Sequence, residues 1–447
     1  MAFLQQIAFL ILLIITTFLI YRRIKLIKQA IALGKNENLS DQPQRRLANM
    51  LRIAFGQKKM FDRPIVGFLH FLVYAGFLII NIEVAEIIID GLTGNHRIFI
   101  PFLGKLYAPL ISFFELLAVG VIVACLIFLI RRHVIKTERL QPHRHREMKG
   151  WPALDATIIL CIEIILMTAI LCMNATDQVL QHRGEDAYPM SGTFLFSQFL
   201  IPLFENVGTG SLILLERSAW WLHISGIFAF AVYLTYSKHL HIALAFPNTY
   251  FSRLEPLGKI RNMPEITGEV QLMLGIQPEN NAGNSAIPDQ FGAKDIQDLS
   301  WKSLLDAYTC TECGRCTSVC PANITGKQLS PRKIMTDTRD RLEEIGKHLQ
   351  KNKEATFSGD GKSLLGDYIT QEELLACTTC NACVEECPVM INPLDIILEL
   401  RRYQIMDQAQ APNSWNAMFQ NLETNQAPWK FSPSDRFNWA RDINKQL

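Results

Sequence analysis

Five stretches in the first half of the chain are long and apolar enough to cross a bilayer: 3–21, 65–89, 110–130, 154–173 and 219–246. About 20 apolar residues span the hydrocarbon core, and in lipid the backbone must satisfy its own hydrogen bonds, so each stretch has to be helical. That constraint makes residues 1–247 a five-span transmembrane bundle. Two further apolar runs, 98–106 and 194–215, are interrupted by Pro101, Gly104, Pro202 and Glu205 and read as interfacial or re-entrant pieces. The first stretch has no basic residues ahead of it and no small-residue cleavage pattern. Arg22, Arg23, Lys25 and Lys28 follow it, so it reads as a retained span and not a signal peptide.

The basic residues then set the topology. Residues 22–63 hold eleven Lys/Arg and residues 131–152 hold seven, whereas the opposite loops, 90–109 and 174–218, hold two each. The positive-inside rule puts the amino terminus outside, the two basic loops inside, and everything after residue 247 in the cytoplasm. The expected location is the cytoplasmic (inner) membrane of a bacterium. With 44 Lys+Arg against 42 Asp+Glu there is no excess of positive charge to suggest nucleic acid. The basic clusters are explained by topology and anionic lipid headgroups.

Eight of the eleven cysteines lie in two short groups in the second half. Residues 310–321 read CTECGRCTSVCP and residues 377–388 read CTTCNACVEECP. Each is C-x-x-C-x-x-C-x-x-x-C-P, in which three thiolates wrap one face of a 4Fe-4S cubane while the fourth reaches a second cluster. Crossing the motifs assigns Cys310, Cys313, Cys316 and Cys387 to one cluster, and Cys377, Cys380, Cys383 and Cys320 to the other. Structural zinc also uses four thiolates in pairs, but it has no use for a third and fourth cysteine at these spacings followed by proline. A reducing cytoplasm argues against disulfides. Cys125, Cys161 and Cys172 lie in spans and read as small packing residues. Helical periodicity between and after the motifs, at 332–349, 371–375 and 393–406, makes this half helical as well.

An iron-sulfur unit on a membrane bundle needs a relay into the lipid, and haem b asks for two histidines facing each other from different helices. His70 lies six residues after Pro64 and His241 five before Phe246, so in straight spans both fall roughly 8–9 Å from the inner end. His239 is the alternative; two residues along a helix is a rotation of about 200°, so only one of the pair should face span two. His223, eighteen residues before His241, would share its face at the outer end. The outer half also offers Asn81, Glu83, Glu86, Glu115 and Glu163. Intramembrane carboxylates are functional candidates, and Glu86 with His223 is kept for a quinone or a second haem.

These residues carry a resemblance across nearly the whole chain. Residues 1–247 resemble the five-span cytochrome b of the nitrate reductase gamma subunit family. Residues 301–406 resemble the two-cluster ferredoxin of heterodisulfide reductase and of the anaerobic glycerol-3-phosphate dehydrogenase C subunit, through WKSLL at 301–305, CTECGRC at 310–316, TGKQLSPR at 325–332 and the second cysteine run. The fused order is similar to membrane-bound oxidoreductases that pass electrons between electron-transfer flavoprotein and menaquinone. That likeness implies an all-α subunit with two 4Fe-4S clusters, one inner haem on His70 and His241, and a quinone as substrate. In the gamma-subunit family an outer haem takes a second histidine ten residues after the first; here that position is Ile80. The fused relatives continue into cysteine-rich CCG domains, so the resemblance implies a separate CCG protein as partner. Residues 248–300, with PENNAGNSAIPDQ, read as a linker, and 407–447 as a partner-docking tail. Two alternatives stay open: a subunit that oxidises quinol to reduce a disulfide, and a membrane-anchored redox sensor without haem.

Overall fold

The computed structural model describes residues 2–276, 290–352 and 357–444. Among the described residues the secondary structure is helical, with only isolated bridge contacts. Most of the PENNAGNSAIPDQ segment lies outside the described residues.

Four helices are long and apolar enough to cross a membrane: α1 (Ala2–Ile31), α3 (Pro64–Thr93), α4 (Tyr107–His133) and α5 (Trp151–His182). A short α2 (Pro43–Met50) precedes the second of them. Proline opens α2 and α3, where its missing N–H is harmless and its fixed φ suits a first turn. A further pair, α6 (Thr209–Leu234) and α7 (His241–Tyr250), is long and apolar enough to cross only when the two are taken together, and they are joined by a turn at Lys238–Leu240 and bent by 90°. α5 packs along α4 and α6, and α3 along α4. Gly76 lets α3 approach α4 closely, since a Cβ there would stand 2.6 Å from Val121.

The bend corrects the expectation of one straight helix over 219–246. Ser237 caps the new segment, its Oγ accepting from the His239 N–H at 3.1 Å. Asp155 on α5 accepts from Tyr233, from Ser237 at 2.8 Å and from the Lys238 N–H at 3.3 Å, which satisfies groups that a broken helix leaves open. His223 and His241 therefore do not share a helix face.

The second half is built from α8 (Pro264–Met273), α9 (Trp301–Thr309), α10 (Pro331–Asn352) and α11 (Pro393–Arg402), with both cysteine runs in the loops between them. It sits against one end of the membrane bundle. Ile27 and Ala30 of α1, Ala54, Leu240 and Ala245 belong to the same buried cluster as Leu304, Ile334, Leu342 and Ile345. Each fully buried Leu or Ile contributes about 1.5–3 kcal/mol, so the two halves share a core. Residues 290–300 join this body: Gly292 has φ +73°, and a Cβ there would stand 2.3 Å from the Glu399 carbonyl.

Candidate functional site

The two cysteine runs fold alike. Glu312 and Thr379 both have positive φ (54° and 56°), and so do Gly314 and Asn381 (71° and 62°), the corresponding residues of the two motifs. Glycine and asparagine tolerate that region best. At Gly314 a side chain is also excluded, because a Cβ would stand 2.4 Å from Arg332 Nη1. Each run thus makes the same turn, which throws its first three sulfurs to one side.

Cys310, Cys313, Cys316 and Cys387 line one small cavity. Cys320, Cys377, Cys380 and Cys383 line a second, and Cys383 reaches the edge of the first as well. Backbone N–H groups point at two of the sulfurs, Thr379 at Cys377 (3.4 Å) and Ile391 at Cys387 (3.3 Å). Among the described residues no three His, Cys, Asp or Glu side chains converge as they would on a single ion. Sulfurs ringing a small cavity suit a cubane better than zinc.

The histidines meet at a larger cavity of about 310 Å³ between the membrane helices and the first cysteine loop. The rings of His70 and His241 have centroids 6.4 Å apart, and His239 lies 5.5 Å from His241. All three line the cavity, which corrects the expectation that only one of His239 and His241 can face α3. The 200° rotation applies within one helix, whereas here His239 belongs to the turn and His241 opens α7. His241 Nδ1 bonds the Lys238 carbonyl at 3.0 Å. A carbonyl partner makes Nδ1 the protonated nitrogen and leaves Nε2 as a free donor of electron density. His70 Nδ1 and the Tyr74 hydroxyl are buried with no partner. Glu163 also lines this cavity, so it belongs with the inner site and not the outer half.

Thr311, Glu312, Cys313, Arg315 and Pro388 line both this cavity and the first cysteine cavity, so the two share a wall. Glu312 was not visible as a functional residue in the sequence; no spacing rule marks it. Its carboxylate accepts from Lys238 at 2.5 Å and Arg339 at 2.6 Å. Burial would raise its pKa, but those two cations outweigh burial and hold it at about 2. Lys238 therefore ties the turn that presents His239 and His241 to the loop that presents Cys310 and Cys313.

His223 lies near the middle of α6 and not at the outer end expected from the sequence; it is fully buried, with Nδ1 on the carbonyl of Leu166, itself midway along α5, at 2.9 Å and Nε2 without a partner. Further polar groups gather at the end of the bundle opposite the cysteine loops. Glu86 accepts from the Phe99 N–H and the Tyr107 hydroxyl, each at 2.9 Å. Glu115 accepts from Asn174, Phe196 and Ser197. Glu83 keeps one buried oxygen without a partner. Arg97, buried between Asp177, Asn174 and Tyr107, closes this end.

Residues 309–391 match the family model described as a 4Fe-4S dicluster domain. Over 96% of its length the chain is 29% identical to the probable iron-sulfur-binding oxidoreductase FadF of Bacillus subtilis, covering 60% of that protein. It is 26% identical to the EtfAB:quinone oxidoreductase of Syntrophomonas wolfei, over 91% of this chain and 56% of the relative. A probable membrane-anchored ferredoxin of Chromohalobacter salexigens is 32% identical over 171 residues, 35% of this chain and 25% of the relative. The chain thus spans somewhat more than half the length of the first two. No solved structure matches it. Together with the apolar helices, these likenesses support a membrane-bound iron-sulfur protein that carries two 4Fe-4S clusters and serves electron transfer.

Proposed function

We propose that the chain is a membrane electron-transfer subunit in which cytoplasmic 4Fe-4S clusters exchange electrons with a membrane quinone through haem b on His70 and His241. The observation that carries this reading is the wall shared by the histidine cavity and the first cysteine cavity. The residues present fit a haem. Two imidazoles from α3 and α7 flank a mostly apolar cavity, and His241 has its Nδ1 engaged and its Nε2 free. When bound, haem and clusters supply one-electron redox chemistry.

The chain's own residues do the rest. Cys310, Cys313, Cys316 and Cys387 would hold the cluster at the shared wall, and Cys377, Cys380, Cys383 and Cys320 the cluster beyond it. Cys380 is exposed, which suits that second site to receive electrons from outside. Val66, Val73, Phe77 and Phe128 give the cavity apolar walls beside the histidines. At mid-depth, the unpartnered Nε2 of His223 suits a quinone carbonyl or a second haem iron, and Glu86 is held nearer the outer end beside the Phe99 turn. The name of the Syntrophomonas relative, an EtfAB:quinone oxidoreductase, favours an electron-transfer flavoprotein and a quinone as the two redox partners.

A dithionite-reduced minus air-oxidised spectrum of the detergent-purified chain tests the relay. It should give sharp b-type bands over a broad iron-sulfur bleach. His70→Ala and His241→Ala should each lose the bands and keep the bleach, while His239→Ala keeps both. Bands that survive in both single variants would sink the axial assignment; a wild-type bleach with no bands would leave the membrane half as an anchor.

A further inference from the structure

The histidine cavity carries more positive charge than its ion pairs use. Arg131, Arg132, Arg139 and Arg315 line it with Lys238, against only Glu163 and Glu312. Glu312 is committed to Lys238 and Arg339. Among the described residues no carboxylate lies within ion-pair distance of any of the four arginines, and of these Arg315 belongs to the wall shared with the first cysteine cavity and Arg139 adjoins it. Arg315 is buried and donates Nη1 to the Lys59 carbonyl; Arg139 donates Nε to the Cys313 carbonyl. Arg132 is the telling one, because its Nη1 is buried without any partner. A guanidinium withdrawn from water without a counter-ion is costly. Its planar fork matches a carboxylate in bidentate fashion.

We propose that Arg132 and Arg139, backed by Arg131 and Arg315, bind the two propionate carboxylates of the haem, so that its carboxylate edge faces the Cys313 loop. The inference rests on the haem reading above and adds the orientation. Two propionates would offset two of the positive charges that the cavity leaves without a carboxylate partner, and Arg139 and Arg315 stand on its cluster side. The haem edge nearest the first cluster would then be the one these residues hold.

The test uses the full chain in detergent, with Arg132→Gln, Arg139→Gln, the double variant, Arg132→Lys, and Arg144→Gln as a control on an exposed arginine paired with Glu138. Haem per chain, the haem midpoint potential and the carboxylate stretching bands of the reduced-minus-oxidised infrared spectrum are measured. Each single Gln variant should keep b-type bands, lower the midpoint, because the added electron loses a nearby cation, and shift a carboxylate band. The double variant should lose haem, and Arg132→Lys should restore the potential without restoring the band. If Arg132→Gln does not fold, recovery of haem in Arg132→Lys carries the same meaning. Unmoved potential and carboxylate bands in both single variants would overturn the assignment, as would a shift confined to the cluster signals. Absence of b-type bands from the wild type would instead remove the haem reading itself.

Discussion

Glu312 lies between two cysteines of the first run, yet its partners are Lys238 and Arg339 from other elements. The Lys238 carbonyl accepts from His241, so one buried ion pair joins the cluster loop to the histidine turn. The pair is asymmetric, which makes a prediction. Glu312→Ala removes the close partner of both cations, leaving Lys238 only a 3.9 Å contact with Asp155 and Arg339 a 3.7 Å contact with Asp340, and should cost about 3–5 kcal/mol. Lys238→Met leaves Glu312 paired with Arg339 and should cost roughly 1–3 kcal/mol. Thermal unfolding of the two variants in detergent checks the order; equal losses would mean that Arg339 contributes nothing. Residues of this kind were silent in the sequence. The cysteines were legible because a cubane demands fixed spacing, and His70 because an imidazole in an apolar helix needs a partner. Glu312 and Arg132 obey no spacing, and their roles arise from which chain segments happen to face them.

At the scale of elements, the bend between α6 and α7 decides what the histidines can do. Apolar residues on both sides of a short polar stretch, TYSKHLH at 235–241, let residues 219–246 read as one span. A signal was present all the same: Ser237 stands just before Lys238 in N-cap position, and a cap inside an apolar run marks a restart. What the sequence alone could not supply was Asp155, 82 residues away from Ser237, whose buried carboxylate collects the open groups of the bend. Asp155→Ala should leave those groups unsatisfied and let the turn shift; on the haem reading proposed above, haem content falls several-fold while the iron-sulfur bleach stays. The ratio of haem to non-haem iron measures this. An unchanged ratio would mean that Ser237 and the packing of α7 hold the bend without help from α5. Residues 290–300 teach the same lesson from the other side. Their composition reads as linker, but Gly292 is pressed against the end of α11, and only backbone proximity reveals it.

Across the whole molecule, the second half is held against the bundle by ion pairs whose members are far apart in the chain: Arg23 with Glu343, Arg63 with Glu386, Lys238 with Glu312, and Arg332 with Glu147. Arg23 and Arg63, from the basic stretch 22–63, thus meet carboxylates of the cluster-bearing half. No periodicity in the sequence could have shown this, since charge counts say that a loop is basic and not what it touches. Arg332 and Glu147 give the sharpest test, because both side chains are buried and Glu147 also accepts from Ser330 at 2.6 Å. Burial would raise the Glu147 pKa, but Arg332 and the hydrogen bonds outweigh it and lower it below 4.5. A carboxylate with a depressed folded pKa contributes stability that is full above its ordinary value and is lost as pH falls through the lowered one. Glu147→Gln should therefore be less stable than the wild type by about 2 kcal/mol at pH 7, with the gap closing below pH 4.5. His145, 4.0 Å from Glu147, has its own pKa lowered by burial and by Arg332, so acid destabilises both proteins through it. Taking the difference between wild type and variant removes most of that contribution. Unfolding midpoints measured from pH 7 down to the limit of solubility decide the matter: a gap that does not depend on pH would show that the contact is held by its hydrogen bonds and shape, and that the charge of Glu147 does not help join the two halves.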